Sequence, residues 1–507
     1  MSRICRACRI TADAFRNSNG AAATMCLFTN FTKRTKNPEK HWKNGQKVVF
    51  LHWKNGQIML NRKIDSYLEK YYKNDKKALL ITGARQTGKS FSIRHFGTTH
   101  FKSLVEINFI EMPEAIEVIS HAKNSKDMLL RLSALTNQPL IEGQTLVFFD
   151  EVQECPEIVT AIKFLVEEGS YRYIMSGSLL GVELKDLRSE PVGYMDIKEM
   201  FPLDIEEFFM ALGVNQRIWD EIKKAWEQKR AVDDFVHKKI MELFRLYLIV
   251  GGMPAVVQKY LDTNNLQEVL AEQQAIIRLY KRDIAKYDRN HKLYIEEIFE
   301  LIPSELNAKN KRFILKNLNE NLKFSRYENS FIWLKEAGVA LPVFNSDEPI
   351  APLKLSRSRN LFKLFQNDIG LLACQYADGI QLQLLTNAKG INFGSIYENA
   401  VAQELHARGF DLYYFNSKKQ GELDFIIEKD GEVVPIEVKS GKAYQRHNAL
   451  TNVMTNADYH IPQALVFTNE NVSQNGKVLY LPIYMVAFLE KQTPVDVEYR
   501  VDLSGLQ

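Results

Sequence analysis

Between Met59 and about Ala211 the chain alternates short apolar runs with longer stretches of helical period, and the runs near 78–82, 103–108, 145–150 and 171–175 carry few polar positions. Strands covered on both faces read this way, whereas a strand with one wet face alternates. A doubly wound parallel sheet with crossover helices is therefore expected. Phe201–Phe208 reads as a capped helix start, with Asp204 three residues before Glu207 in capping-box spacing. From about 213 to 290 the pattern is helical and charged, broken where Gly251-Gly252-Met253-Pro254 cannot continue a helix, which predicts a helical lid. Residues 291–385 read as two helices, a longer helix over Tyr327–Ala337, and an extended pair, Val339–Phe344 and Ala351–Leu355, around a turn at Asn345–Pro349. Three helices followed by a hairpin form a winged helix-turn-helix pattern. In the last part, 386–507, an amphipathic helix over Ile396–Arg408 precedes two alternating strands, Gly421–Ile427 and Val433–Lys439, with Asp430-Gly431 between them. Asp-Gly is the favoured type I′ hairpin turn. With that turn Asp424 faces Glu437 and Glu422 faces Lys439, and the period-two alternation of a strand sets all four on one face.

The first of these strands carries the most specific chemistry. Ala78–Arg94 is an apolar run that stops at Gly83 and continues Gly83-Ala84-Arg85-Gln86-Thr87-Gly88-Lys89-Ser90. Glycines at both ends of such a loop let backbone N–H groups turn onto a β-phosphate, the lysine neutralises β/γ oxygens, and the serine hydroxyl ligates Mg2+. These residues imply ATP and Mg2+ as cofactors. The strand ending at Asp150 opens onto the same edge of the sheet, so Asp150 is expected to hold Mg2+ through water and Glu151 to polarise the attacking water. Lys89 and Glu151 are thus the candidate catalytic residues. The next strand ends in Ser176-Gly177-Ser178, and either serine could sense the γ-phosphate.

A second constellation lies near the C-terminus. Glu398, Asp424 and Glu437 could hold a second Mg2+ or Mn2+, with Lys439 beside it to orient a water, because opposed strand positions are close enough for two carboxylates to share a divalent ion. Glu…Asp…Glu-x-Lys is the PD-(D/E)xK nuclease arrangement; the plainer reading of the same residues is a cross-strand ion-pair face. Two basic groups, Lys309, Lys311, Arg312 and Lys316, then Lys354, Arg357, Arg359 and Lys363, are candidates for contact with a DNA backbone through the winged-helix region.

Composition narrows the picture. The 507 residues are 45% hydrophobic and 25% charged, ordinary globular material for three or four domains. No apolar run reaches the roughly 18 residues of a membrane span, so no membrane association is expected and the cytoplasm is the expected location. Cys5, Cys8, Cys26, Cys155 and Cys374 are too scattered for a disulfide framework, and Cys5-Arg-Ala-Cys8 has no second pair to complete a metal site. Residues 1–58 hold eleven Lys or Arg against Asp13 and Glu39, a net of +9, which leaves −5 for the remainder of a chain whose total is +4. The basic total therefore says nothing about nucleic acid binding by the folded part. This leader also repeats HWKNGQ at His41–Gln46 and His52–Gln57. It reads as a disordered segment or a misplaced start, with Met59 a natural beginning.

Taken together, GARQTGKS at 83–90, FFDEVQE at 148–154, SGSLLG at 176–181, PVGYMDIKEMFPLDIEEF at 191–208, YLIVGGMP at 247–254, FKLFQNDIGLL at 362–372 and the hairpin resemble a prokaryotic AAA-type ATPase family related to archaeal ATPases. In that family a P-loop domain precedes an uncharacterised region combining a winged helix and a nuclease-like fold. The resemblance covers about Met59 to Leu489. It implies an α/β protein: a P-loop NTPase parallel sheet (59–212), a helical lid (213–290), a winged helix-turn-helix (291–385) and a C-terminal α/β restriction-endonuclease-like domain (386–507). Gly83, Gly88, Lys89, Ser90, Asp150 and Glu151 take the nucleotide roles argued above. One departure is Tyr194, which stands where the family usually has Lys or Arg after the residue matching Gly193; Arg188 is the nearby substitute. Two functions compete: an ATP-driven switch acting on DNA or a DNA-associated partner, with a metal-dependent nuclease domain, and a regulatory or signalling ATPase whose C-terminal domain is a catalytically silent interaction module. An unknown protein partner and a homo-oligomer fit either.

Overall fold

A computed structural model describes residues 60–136, 138–178, 193–287, 292–308, 311–314, 327–376, 379–386 and 393–491, with two short paired strands at Trp53–Lys54 and Gln57–Ile58. The leader to residue 52, Arg188, Lys309, Lys316 and the side chain of Arg359 lie outside the described residues.

Five strands, β1 (Ala78–Thr82), β2 (Ser103–Asn108), β3 (Thr145–Asp150), β4 (Arg172–Ser176) and β5 (Met195–Glu199), form a wholly parallel sheet in the order β2-β3-β4-β1-β5. Alternate residues leave it on opposite faces. Leu79, Ile81, Leu146 and Phe148 pack with Ile64, Leu68, Ile93 and Phe96 from α1 (Lys63–Asn74) and α2 (Lys89–His100). Leu80, Val147 and Phe149 pack with residues of the opposite helical layer, among them Ile158 and Ile162. Because both faces are covered, β1, β3 and β4 have no polar alternation to show, whereas β2 at the edge alternates in burial. The sequence pattern missed β5, whose MDIKE reads as polar because it is an edge strand.

The capped start at Asp204 is present. Its carboxylate accepts the Glu207 N–H at 2.9 Å and Glu207 reaches back to the Asp204 N–H at 3.2 Å. The region expected to form a lid holds α3 (Asp234–Val250), α4 (Pro254–Thr263) and α5 (Leu266–Tyr287), and α6 (Lys292–Asn307) opens the region expected to form the winged helix. The break between α3 and α4 requires glycine, since a Cβ on Gly252 would lie 2.1 Å from the Leu203 carbonyl oxygen. No single helix among the described residues is long and apolar enough to cross a membrane.

The remaining strands depart from the expected division into a winged helix and a separate terminal domain. β6 (Ala340–Ser346), β7 (Arg357–Gln366), β8 (Tyr413–Ser417), β9 (Gly421–Lys429), β10 (Glu432–Lys439), β11 (Ala464–Thr468), β12 (Ser473–Asn475) and β13 (Val478–Pro482) make one sheet in the order β12-β13-β11-β10-β9-β8-β6-β7. The expected wing, β6 with β7, is the edge of this sheet, joined to it by parallel pairing of Phe344, Asn345 and Ser346 with Tyr413, Tyr414 and Phe415. Its second strand is also displaced. Ala351–Leu355 is a turn leading into a short 3-10 helix, because Pro349 and Pro352 lack the N–H a ladder needs, and the strand starts at Arg357. The hairpin itself has the expected register, Phe425 opposite Ile436 through Lys429 opposite Glu432, and both turn residues have positive φ, 57° at Asp430 and 80° at Gly431. The preceding helix, α7 (Gly394–Ala407), is not amphipathic as expected. Every residue from Ser395 to Leu405 is buried, because sheet strands pack on one side and lid helices on the other.

Candidate functional site

The loop after β1 closes around a cavity of about 1010 Å³ whose lining includes Arg85, Lys89, Ser90, Asp150, Glu151 and Ser178. The backbone makes the cradle. Gly83 and Gly88 have φ of 127° and 93°, and a Cβ on Gly83 would lie 2.2 Å from the Met200 carbonyl oxygen. Lys89 folds back along the loop, its Nζ donating to the carbonyl oxygens of Gly83 at 2.9 Å and Ala84 at 2.8 Å. Thr87 closes the loop with a hydroxyl bond to the Ala84 carbonyl oxygen at 2.9 Å. Burial pushes the Lys89 ammonium down to about 8, with Glu151 and Asp150 opposing the shift. A buried cation whose hydrogen bonds go to carbonyls, in a loop of turned N–H groups, fits a polyphosphate.

Asp150, at the end of β3, accepts from Ser90 Oγ at 2.9 Å and from Ser176 Oγ, with Asn108 Nδ2 at 3.3 Å. A carboxylate and a serine hydroxyl already 2.9 Å apart suit a shared Mg2+. Glu151 stands in the left-handed region, φ 57°, and accepts from Gln153 Nε2 at 2.6 Å. The two candidate serines separate here: Ser176 is tied to Asp150, whereas Ser178 lines the cavity and accepts from Arg85 Nε at 3.1 Å. Tyr194 donates to Glu167 at 2.6 Å and is not among the residues lining the cavity.

Several lining residues gave no sequence signal. Leu60, Pro254 and Ala255 supply an apolar wall, and Arg62 locks the loop, donating to the carbonyls of Thr87 at 3.0 Å and Phe201 at 2.7 Å and pairing with Glu207 at 3.2 Å. Through the same cap, Asp204 meets Lys63 at 2.5 Å and Arg408 at 3.6 Å, and Glu404 of α7 accepts the Ile205 N–H at 2.8 Å. A chain of buried charges thus runs from the loop to α7.

Residues 75–209 match a family model described as an AAA domain. The chain carries an AAA-type P-loop ATPase domain. Beyond the ATPase domain, residues 241–383 and 393–485 each match a domain of unknown function, DUF8612 and DUF4143. No curated protein matches the chain. Among solved structures, the Walker-type ATPase of Pyrococcus abyssi is similar at 14% identity and TM-score 0.40, over 62% of this chain and 96% of that one. The Aeropyrum pernix ORC1 protein in complex with DNA is similar at 10% and 0.26, over 64% and 91%. The Thermotoga maritima RuvB Holliday junction branch migration motor is similar at 14% and 0.27, over 58% and 91%.

In the second constellation the fold brings Glu398, Asp424, Glu437 and Lys439 close enough to perturb one another's charge. Among the described residues no group of three or more His, Cys, Asp or Glu side chains is arranged to hold a metal ion. Each glutamate instead has a cation. Glu398 is paired with Lys311, Glu437 with Lys439, and Glu422 with Lys363 at 2.8 Å, with Arg312 at 3.7 Å. The ladder of β9 with β10 is recorded as far as Phe425 opposite Ile436; on its other edge β9 sets Glu422 opposite Asn416 of β8, and Asp424 accepts the Val438 N–H at 2.9 Å. Burial raises Glu398 to about 7 and Glu437 to about 8, in both cases helped by the charge of Asp424 and opposed by lysine. Asp424 is held below the ordinary range: burial opposes this, but Lys311, Lys363, Lys439 and the Val438 N–H outweigh it.

The same pairs take Lys311 and Lys363 out of the expected basic groups, while Lys354 and Arg357 stay exposed. Lys311 and Lys363 point inward, the latter fully buried, and Arg357 stacks 3.6 Å from the centre of the Phe344 ring. Of the lysines expected to meet DNA, Lys311 pairs with Glu398, an acid expected to meet metal.

Proposed function

We propose that this chain is a Mg2+-dependent ATPase with a regulatory or signalling output, and that its C-terminal α/β region is a catalytically silent interaction module. The observation that carries the hydrolytic reading is the convergence of Lys89, Ser90, Asp150, Glu151 and Ser178 on one cavity. In this reading the loop N–H groups and Lys89 take the β- and γ-phosphates, Ser90 and Asp150 hold Mg2+, and Glu151 orients the attacking water. Mg2+ supplies charge neutralisation at the terminal phosphate. Support for a silent C-terminal region is the ion pairing of Glu398, Glu422 and Glu437. The DNA-acting alternative loses ground because Lys311 and Lys363 are spent on those acids.

Calorimetric titration with ATP tests the first half. Lys89→Ala is expected to lose binding, and Glu151→Gln to bind ATP while turning over roughly 100-fold or more slowly. Equal binding by wild type and Lys89→Ala would remove the site assignment. Turnover is expected to be indifferent to single- and double-stranded DNA, and stimulation by either would restore the DNA-acting reading.

A further inference from the structure

The phosphate loop has a partner from outside the sheet domain. Arg85, the third residue of the loop, sends Nε to Ser178 Oγ at 3.1 Å and Nη1 to the carboxylate of Asp283, 198 positions away on α5. Asp283 is buried, its side chain only 6% exposed, while that of Arg85 is 26% exposed. The same helix also holds the loop backbone, with Tyr280 donating to the Arg85 carbonyl oxygen at 3.1 Å. On the other side Gly338 approaches so closely that a Cβ there would lie 3.0 Å from the Ala84 nitrogen.

The position of this ion pair matters. Ser178 follows β4, the neighbour of the strand that ends in Asp150 and Glu151, so the Arg85 guanidinium stands at the end of the cavity where the hydrolytic acids are. Leu60, Pro254 and Ala255 supply an apolar stretch of the same lining. A guanidinium presents a planar fork of donors that suits a carboxylate and a terminal phosphate equally well. Tyr194 is engaged with Glu167 and is not among the residues lining the cavity.

Resting on the ATP-site reading, we propose that Arg85 is the residue that tells a nucleoside triphosphate from a diphosphate, and that Asp283 is its internal rival for the terminal phosphate. A triphosphate draws the guanidinium from α5 to the γ-oxygens; a diphosphate leaves it on Asp283. Arg85 is then a substrate-touching residue and Asp283 a positioning one, and the loop reports the state of the nucleotide to the lid region by exchange of one ion-pair partner for another.

The test is calorimetric affinity for ATPγS and for ADP, measured on the full chain with Mg2+. Arg85→Ala should weaken ATPγS roughly tenfold or more and leave ADP within about twofold. Asp283→Asn should act in the opposite sense, strengthening ATPγS relative to ADP, and this gain should vanish in the double variant with Arg85→Ala. Arg85→Lys, which keeps the charge without the fork, should fall between wild type and Arg85→Ala and serves if the alanine variant does not fold. Equal losses for both nucleotides, or an Asp283→Asn effect that survives without Arg85, would overturn the proposal while leaving the ATP site intact. Failure of wild type to bind either nucleotide would overturn both.

Discussion

The nucleotide cavity and the C-terminal cluster each bury several ionisable groups, and they differ in where the opposing charge comes from. In the cavity Lys89 is buried against backbone carbonyls, and its pKa falls because burial outweighs the attraction of Glu151 and Asp150. In the cluster each glutamate is paired with a lysine, and Lys311 and Lys439 are shifted upward because the attraction of those acids exceeds the effect of burial. The cavity holds the Lys89 cation against carbonyls, whereas the cluster sets lysines against its acids, although burial and Asp424 still raise Glu398 and Glu437. Buried pairs of the second kind contribute little net stability but are costly to break on one side.

That difference yields predictions of decreasing size. Lys311→Met, which strips the partner from Glu398, should lower unfolding free energy by about 3 kcal/mol at pH 8.5 in urea denaturation. The loss should shrink at pH 5.5, where Glu398 takes up a proton instead of standing as a buried anion. Lys89→Met should leave the stability of the nucleotide-free protein unchanged or up to about 1 kcal/mol higher, because it removes a desolvated cation without orphaning an acid. A large loss at Lys89, or none at Lys311, would erase the contrast.

Proton linkage sharpens it. The folded-state pKa of Lys89 lies below the ordinary lysine value, so between about 8 and 10.5 the free protein carries this amine largely neutral. Phosphates that restore the charge should make ATP binding at pH 9 take up a proton, visible as a buffer-dependent calorimetric enthalpy, with little uptake at pH 7. Glu437 runs the other way. Its folded pKa is raised, so its contribution is fully present below the unfolded value of 4.5 and is lost as pH rises through about 8. Glu437→Gln, which mimics the protonated form, should match wild-type melting at pH 4.5–5 and exceed it by a few degrees at pH 9. The smallest effect is a null one. Without nucleotide, Mg2+ or Mn2+ should leave the melting temperature unchanged, and a metal-dependent rise lost in Asp424→Asn would revive the metal site.

Much of the nucleotide site was legible because its signals are local. Gly83 to Ser90 are contiguous, the strand that positions them is five residues long, and Asp150 and Glu151 follow directly from an unbroken apolar run. The hairpin turn was legible for the same reason: Asp430-Gly431 favours positive φ wherever it occurs. What escaped is non-local. Arg62, Asp283 and Lys311 occupy ordinary polar positions on their own segments, and only pairing across 145, 198 and 87 positions gives them meaning.

The amino-acid sequence by itself therefore determined four of the five parallel strands, the phosphate loop with its acids, and the register of the terminal hairpin, since each follows from backbone preference and side-chain period within a short stretch. Tertiary structure alone decided that the expected wing is the edge of an eight-stranded sheet, that Ser395 to Leu405 of α7 are buried all round, and that Lys311 and Lys363 turn inward to meet Glu398 of α7 and Glu422 of β9. The reason is electrostatic and steric at once. Whether a charged side chain meets solvent, a ligand or a counter-ion depends on which distant segment packs over it, and burial makes an unpaired charge too costly to leave without a partner.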